Sequence, residues 1–86
     1  KLGLALRPLE PQEKRQAGVA SGLLVQGAAG PAALAGVQPG DVLIGIDGKP
    51  VQSVAQVREA LAKSGNSVAL LIQGQGNKIF VPVRIG

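Results

Sequence analysis

The sequence lacks six residue types, several of which carry much of enzyme chemistry. It contains no His, Cys, Thr, Tyr, Trp or Met, and Phe80 is its only aromatic residue. Without His and Cys, a thiol nucleophile and a His-assisted serine are both excluded. A metal site would have to rely on carboxylates alone, and these are Glu10, Glu13, Asp41, Asp47 and Glu59. We therefore expect no catalytic residue, no metal and no cofactor in this chain.

The hydroxyl groups and turn acids have ordinary structural explanations. The serines are Ser21, Ser53, Ser64 and Ser67, and each stands at a predicted turn or helix end, where a hydroxyl bonds the backbone. Asp41 follows Pro-Gly and Asp47 precedes Gly, which are common turn positions. Spacing alone leaves a two-carboxylate mechanism from Asp41 and Asp47 open, but nothing in the sequence marks either residue as buried or paired.

Charge and hydropathy exclude two further classes of partner. The net charge is +4, but only Lys14 and Arg15 are adjacent and the other basic residues are scattered. No aromatic platform is present on which bases could stack. The longest apolar run, residues 68–72, is far shorter than the ~20 residues of a membrane span. The sequence predicts neither nucleic-acid binding nor membrane insertion.

Length and ends indicate one small domain. Eighty-six residues suffice for one modest core and not for two. The first residue is Lys1 and the chain opens directly into an apolar pattern, so we interpret residues 1–86 as one domain of a longer protein. The absence of cysteine leaves the redox compartment open.

Gly and Pro divide the chain into short elements. Leu2, Leu4 and Leu6 alternate with smaller or polar residues, which is typical of a strand with one apolar face, and Pro8 is expected to end it. A capping box at Ser53 predicts the longest helix, with its stop at Gly65. The other predicted elements are a short surface helix at 11–17, strands at 22–26, 42–46, 68–73 and 78–85, a helix at 30–36, and an Asp47-Gly48 hairpin turn leading to Val51. Pro82 predicts an edge or a bulge.

The order of these elements favours an α+β fold. Strands and helices are mixed without a repeating βαβ pattern, which predicts a small, partly open antiparallel barrel or sandwich. We expect five to six strands capped by two helices.

Two segments resemble the PDZ domain family. Residues 2–6 (LGLAL) have the pattern of the family's carboxylate-binding loop and ligand-binding strand, with Leu4 where many members have Phe. Residues 30–51 (GPAALAGVQPGDVLIGIDGKPV) resemble its signature of a small helix, P-G-D, a strand and a turn, and residues 53–63 resemble its groove helix. The resemblance covers essentially the whole chain. It implies a non-catalytic module that binds peptide C-termini.

The order of the pieces narrows the resemblance to bacterial PDZ domains. The chain begins with the carboxylate loop and ends with an extra strand, which is the permuted bacterial order. It is most similar to the second, C-terminal PDZ domain of periplasmic HtrA/Deg serine proteases of the DegP, DegQ or MucD kind. This implies a periplasmic endopeptidase and chaperone of protein quality control as the parent, with its Ser, His and Asp in an upstream domain. Site-2 proteases, tail-specific proteases and secretion components share the core signature and remain alternatives.

The resemblance also implies a set of site residues. The peptide-binding residues are Leu2, Gly3, Leu4, Ala5, Leu6, Val54, Val57, Arg58 and Leu61. Backbone amides of Leu2, Gly3 and Leu4, with Lys1 in support, are expected to hold the ligand's carboxylate. The terminal side chain would enter a pocket of Leu2, Leu4, Leu6 and Leu61, while Val54 and Arg58 would face upstream residues. Val54 stands where some members have His, which favours an apolar ligand residue two positions from the end.

Simpler readings stand beside these. Leu6, Val57 and Leu61 are core residues if the groove is closed, Arg58 and Lys1 are solvated charges, and Gly3 marks a turn. A competing hypothesis makes the domain an assembly element with a vestigial groove, which docks on neighbouring PDZ or protease domains of a homo-oligomer. The expected partners of the groove itself are protein C-termini and unfolded polypeptides.

Overall fold

One mixed-order antiparallel sheet forms the framework. In the computed structural model, which describes residues 2–74 and 76–85, the elements run in the order β1 (Leu4–Pro8), α1 (Pro11–Ala17), β2 (Leu23–Ala28), α2 (Gly30–Leu34), β3 (Val42–Ile46), β4 (Lys49–Pro50), α3 (Val54–Lys63), β5 (Ser67–Gly74) and β6 (Asn77–Arg84). The sheet order is β1-β2-β3-β5-β6, with β4 paired to β3. The predicted α+β class with an open antiparallel sheet is confirmed, and the short surface helix predicted at residues 11–17 forms as α1, beside the two other helices, α2 and α3.

The core is aliphatic throughout, as the near-absence of aromatic residues requires. The side chains with almost no exposed surface are Leu23, Val25, Leu43, Ile46, Leu70 and Val83. They come from β2, β3, β5 and β6, so the inner face of the sheet is the core. Val57 of α3 and Ala32 of α2 close over it.

The turn between β3 and β4 has the predicted hairpin geometry. Asp47 and Gly48 both have positive φ, of 51° and 83°, as a type I′ turn requires at its two central residues. Ile46 consequently pairs with Lys49. The Asp47 carboxylate reaches further than the sequence indicates, accepting from the Ala69 amide at 2.9 Å and from the Ser64 hydroxyl at 2.8 Å.

Several predicted element boundaries are wrong. The strand predicted at 22–26 is β2, Leu23–Ala28, and the helix predicted at 30–36 is α2, Gly30–Leu34, with Ala35 as its cap. β1 begins at Leu4 and not at Leu2, because Gly3 has φ 90°. It ends at Pro8, as predicted. α3 ends at Lys63, and Ser64, in an extended conformation, is its cap; Gly65 is not the stop. The Ser64 contact with Asp47 comes from a distant part of the chain and is invisible to a local reading.

Two other predictions about these elements are confirmed. The Ser53 capping box forms, with the Ser53 hydroxyl accepting from the Gln56 amide and the Gln56 side chain accepting from the Ser53 amide, both at 3.2 Å. Pro82 lies in β6, an edge strand paired only with β5. Among the helices of the described ranges, none is long and apolar enough to cross a membrane.

Candidate functional site

The main cleft lies between β1 and α3. β1 is a terminal strand of the sheet and pairs only with β2, so its other edge is free. α3 packs beside that edge, leaving a cavity of about 620 Å³. The lining residues are Leu2, Gly3, Leu4, Leu6, Val54, Val57, Arg58, Leu61, Ala62, Gly65 and Ile85. A free strand edge beside an apolar trough has the form that β-strand addition requires.

β1 and α3 run antiparallel. A smaller cavity is lined both by Pro8 and Leu9, at the end of β1, and by Gln52, just before α3. At the opposite end the Ile85 amide donates to the Asn66 carbonyl oxygen at 2.8 Å, so Ile85 lies just beyond the end of α3. Gly3 and Leu4 therefore lie toward the C-terminal end of α3, and Val54 lies toward the far end of β1.

Two hydrogen bonds orient the backbone at the head of the groove. The Leu2 carbonyl oxygen accepts from the Ala32 amide at 3.1 Å, and the Gly3 carbonyl oxygen accepts from the Ala29 amide at 2.8 Å. In a trans peptide the following N–H points opposite to the C=O. The amides of Gly3 and Leu4 therefore point away from α2 and β2. Successive amides directed to one side form a concavity suited to an anion.

Gly3 is required by its surroundings as well as by its backbone angle. A β-carbon built at this position would lie 1.9 Å from the Ala29 carbonyl oxygen, and φ is 90°. Any side chain would push the loop away from Ala29 and turn the amides. The reading of Gly3 as a simple turn marker is therefore incomplete.

The apolar site residues divide into core and groove. Val57 is only 4% exposed and belongs to the core cluster, while Leu6 and Leu61 are partly buried against that cluster and line the cavity. Leu2 is also 4% exposed and contributes mainly to the floor. Ala5 does not line the cavity; its side chain is exposed, because residues of a strand alternate between faces.

The structure adds lining residues that sequence reasoning missed. Ala62, Gly65 and Ile85 line the cavity. Ala62 follows Arg58 by one helical turn, which could have identified it. Ile85 is brought in by the pairing of β6 with β5, a signal absent from local sequence. Lys1, expected to support the carboxylate, lies outside the described residues.

An ion pair secures the far end of β1. Arg7 donates to both carboxylate oxygens of Glu13, at 2.8 and 2.6 Å, and the Glu10 amide donates to Glu13 at 2.9 Å. The Arg7 guanidinium, followed by the Glu10 amide, lowers the pKa of Glu13 to about 2. α1 is thereby tied to β1 and leaves the groove side of the strand clear.

No carboxylate is among the described residues that line this cleft. In residues 2–74 and 76–85 no cluster of three carboxylates exists that could hold a metal ion. The Asp47 carboxylate accepts hydrogen bonds from the Ala69 amide and the Ser64 hydroxyl, and both bonds lower its pKa. What the cleft offers is oriented backbone amides, a free strand edge and an apolar trough.

Comparison with known proteins assigns the family. The PDZ domain model matches residues 24–74. The chain is a member of the PDZ domain family. It is 42% identical over 98% of its length to a probable periplasmic serine endoprotease, DegP-like, from Hahella chejuensis, and covers 19% of that protein. The chain thus spans less than a fifth of the length of these curated relatives.

Solved structures match the fold of nearly the whole chain. The HtrA-type protease AlgW with decapeptide matches with a TM-score of 0.81 and 26% identity, covering 100% of this chain and 28% of that one. The HtrA3 PDZ domain bound to a phage-derived ligand (FGRWV) matches with a TM-score of 0.85 and 22% identity, covering 98% and 82%. The PDZ fold expected from residues 2–6 and 30–51 is confirmed.

Proposed function

We propose that this PDZ domain is a non-catalytic module that binds the free, apolar C-termini of polypeptides by strand addition to β1. The observation that carries the proposal is the orientation of the Gly3 and Leu4 amides, both fixed by bonds on the preceding carbonyl oxygens. Gly3 and Leu4 are among the residues that line the apolar groove. A terminal carboxylate is the group that such amides bind best.

The remaining contacts follow from this anchor. With its carboxylate at Gly3 and Leu4, a peptide runs along the free edge of β1 toward Val54. Its terminal side chain enters the trough formed by Leu4, Leu6 and Leu61, where burial of apolar area contributes about 25 cal/mol per Å². Val54 offers only methyl groups to an upstream residue, which favours an apolar side chain there.

The parent's biology is part of the same proposal. The DegP-like relative from Hahella chejuensis is described as a periplasmic serine endoprotease, and AlgW was solved with a decapeptide. We infer that this domain belongs to a periplasmic endopeptidase of protein quality control and presents unfolded chains to it. The nucleophile and its base would lie in another domain, since this chain has no His.

A calorimetric titration tests the proposal. A short peptide ending in Leu is compared as the free acid and as the C-terminal amide, against this domain. The acid is expected to bind at least tenfold more tightly, because the amide removes the charge that the Gly3 and Leu4 N–H groups recognise. Equal affinity of the two forms would remove the basis of the proposal.

A second candidate is an assembly role. Phe80 is 67% exposed and Ile79 55% exposed; both lie on the edge strand β6 and neither lines the groove. Large exposed apolar side chains often mark contacts with another protein. Ile79 and Phe80 are consecutive in β6 and point to opposite faces of the sheet, so Phe80, the more exposed of the two, is the residue that favours a docking surface for a neighbouring domain in a homo-oligomer.

The two candidates separate in the full-length protein. Phe80→Ser should reduce particle size in ultracentrifugation if β6 holds an oligomer together, and leave peptide binding intact. Leu61→Ala should do the reverse. An oligomer unchanged by deletion of the whole domain would contradict the assembly role.

A further inference from the structure

Arg58 is the one charged side chain among the described residues that line the groove. The other lining residues are aliphatic or glycine. Arg58 is exposed on α3, one helical turn from Val54 on one side and from Ala62 on the other. A single guanidinium in an otherwise apolar trough gives the groove a positive charge at one defined height.

The acids of the described chain do not neutralise it. The only ion pair within 4 Å found in residues 2–74 and 76–85 joins Arg7 to Glu13. Asp47 is bonded to Ala69 and Ser64, and Asp41 accepts from the Gln38 amide. Glu59 is next to Arg58 in sequence, but adjacent helical residues do not face each other, and it does not line the groove.

Arg58 lies beside the part of the groove that ligand residues before the C-terminal one would occupy. Arg58 precedes Ala62 by four residues, which is about 6 Å along the helix axis, and a strand advances about 3.3 Å per residue. Ala62 is near the C-terminal end of α3, which is the end toward which Gly3 and Leu4 lie. A peptide anchored at Gly3 and Leu4 therefore passes Arg58 about two residues before its own C-terminus. The long, flexible guanidinium side chain reaches one residue to either side.

We propose that the groove selects ligands in which an Asp or Glu lies among the three residues before an apolar C-terminal residue. This inference rests on the proposed function and adds a charge preference to it. Arg58 pairs with the ligand's side-chain carboxylate, while the Gly3 and Leu4 amides hold its terminal one. An exposed pair of this kind discriminates modestly, by about two- to fivefold.

The test uses a set of peptides that share one apolar C-terminal residue. In each peptide a single Asp, Asn or Lys is placed at one of the three positions before that residue. The wild-type domain is expected to bind the best Asp peptide about two- to fivefold more tightly than its Asn counterpart, and the difference should shrink with added salt. Arg58→Gln should abolish the difference and Arg58→Glu should turn it into a preference for Lys. Arg15→Gln, an exposed change on α1 outside the groove, should leave it intact.

The outcomes separate this inference from the proposed function. A wild-type domain that prefers the free acid over the C-terminal amide, but ignores upstream Asp, overturns the inference alone. So does a preference for Asp that survives Arg58→Glu. If Arg58→Gln instead abolishes the distinction between acid and amide, Arg58 binds the terminal carboxylate and the inference is wrong. If the wild-type domain never distinguishes acid from amide, the proposed function fails.

Discussion

The carbonyl oxygen of Gly3 accepts a 2.8 Å hydrogen bond from the Ala29 amide, and a β-carbon on Gly3 would lie 1.9 Å from the Ala29 carbonyl oxygen. The backbone at the start of β1 is therefore held in direct contact with the backbone at the end of β2. The hydrogen bond between Gly3 and Ala29 orients the Leu4 N–H group away from β2. The direction of the Leu4 N–H group in the candidate site therefore depends on Ala29, which does not line the groove.

Replacing Gly3 by Ala should impair both folding and binding. The new methyl group clashes with Ala29 and the residue must keep φ near 90°, so the free energy of unfolding should fall by about 2–3 kcal/mol. The carboxylate preference of any remaining ligand binding should disappear. Chemical denaturation and peptide titration measure the two effects.

Gly40→Ala is the matched control. Gly40 has a similar φ of 94° but nothing lies within 4 Å of a β-carbon there. It should cost only the backbone strain, about 1 kcal/mol, and spare ligand binding. Equal losses in the two variants would mean that contact with Ala29 is unimportant.

Val57 and Leu61 should separate stability from binding. Val57→Ala removes two buried methyl groups from the core and should lower the free energy of unfolding by about 2 kcal/mol. Val57 lines the groove but is only 4% exposed, so the change should weaken ligand binding less than Leu61→Ala does. Leu61→Ala should weaken binding of a Leu-terminated peptide by about tenfold and cost less stability. The opposite pattern, seen by denaturation and calorimetry, would reverse their assigned roles.

Glu13 should make stability depend on acid pH. Its pKa is lowered from 4.5 to about 2 in the folded chain. Its contribution is therefore complete above pH 4.5 and is lost as the pH falls toward 2. Glu13→Gln should flatten the fall in stability over that window, and Glu59→Gln, which leaves the Arg7–Glu13 pair intact, should not. An NMR titration that finds the Glu13 pKa near 4.5 would contradict the ion pair.

Ser64→Ala tests the tie between α3 and the β3–β4 turn. Loss of the hydroxyl that donates to Asp47 should cost about 1 kcal/mol of unfolding free energy. The pKa of Asp47 should rise yet stay below its ordinary value, because the Ala69 amide remains and is the larger cause. Ser67→Ala, a change at the exposed first residue of β5, is the control. An Asp47 pKa unmoved by Ser64→Ala in carbon-detected NMR would rule out the contact.

Local patterns predicted most of the fold and part of the candidate site. The Ser53 capping box, the Asp47-Gly48 turn and the edge position of Pro82 follow from residue chemistry that acts over a few positions. The hydrogen bond between Ser64, the cap of α3, and Asp47 does not follow from such local patterns, because Asp47 lies in a distant turn.

The same limit applies to the site. Leu4, Leu6 and Leu61 were identified through a family resemblance, and periodicity alone could not separate buried Val57 from groove-lining Leu61. Ile85 and the role of Ala29 required the folded chain, because strand pairing and a backbone hydrogen bond bring them to the groove.

The most direct measurement is an NMR titration of the ¹⁵N-labelled domain with an apolar-ended peptide acid and with its C-terminal amide. The account predicts that the acid shifts the Gly3 and Leu4 amide signals most strongly, downfield as a new charged acceptor requires, and that the amide form leaves them nearly unchanged. Shifts of the same size for both forms, or shifts confined to residues away from β1 and α3, would contradict it.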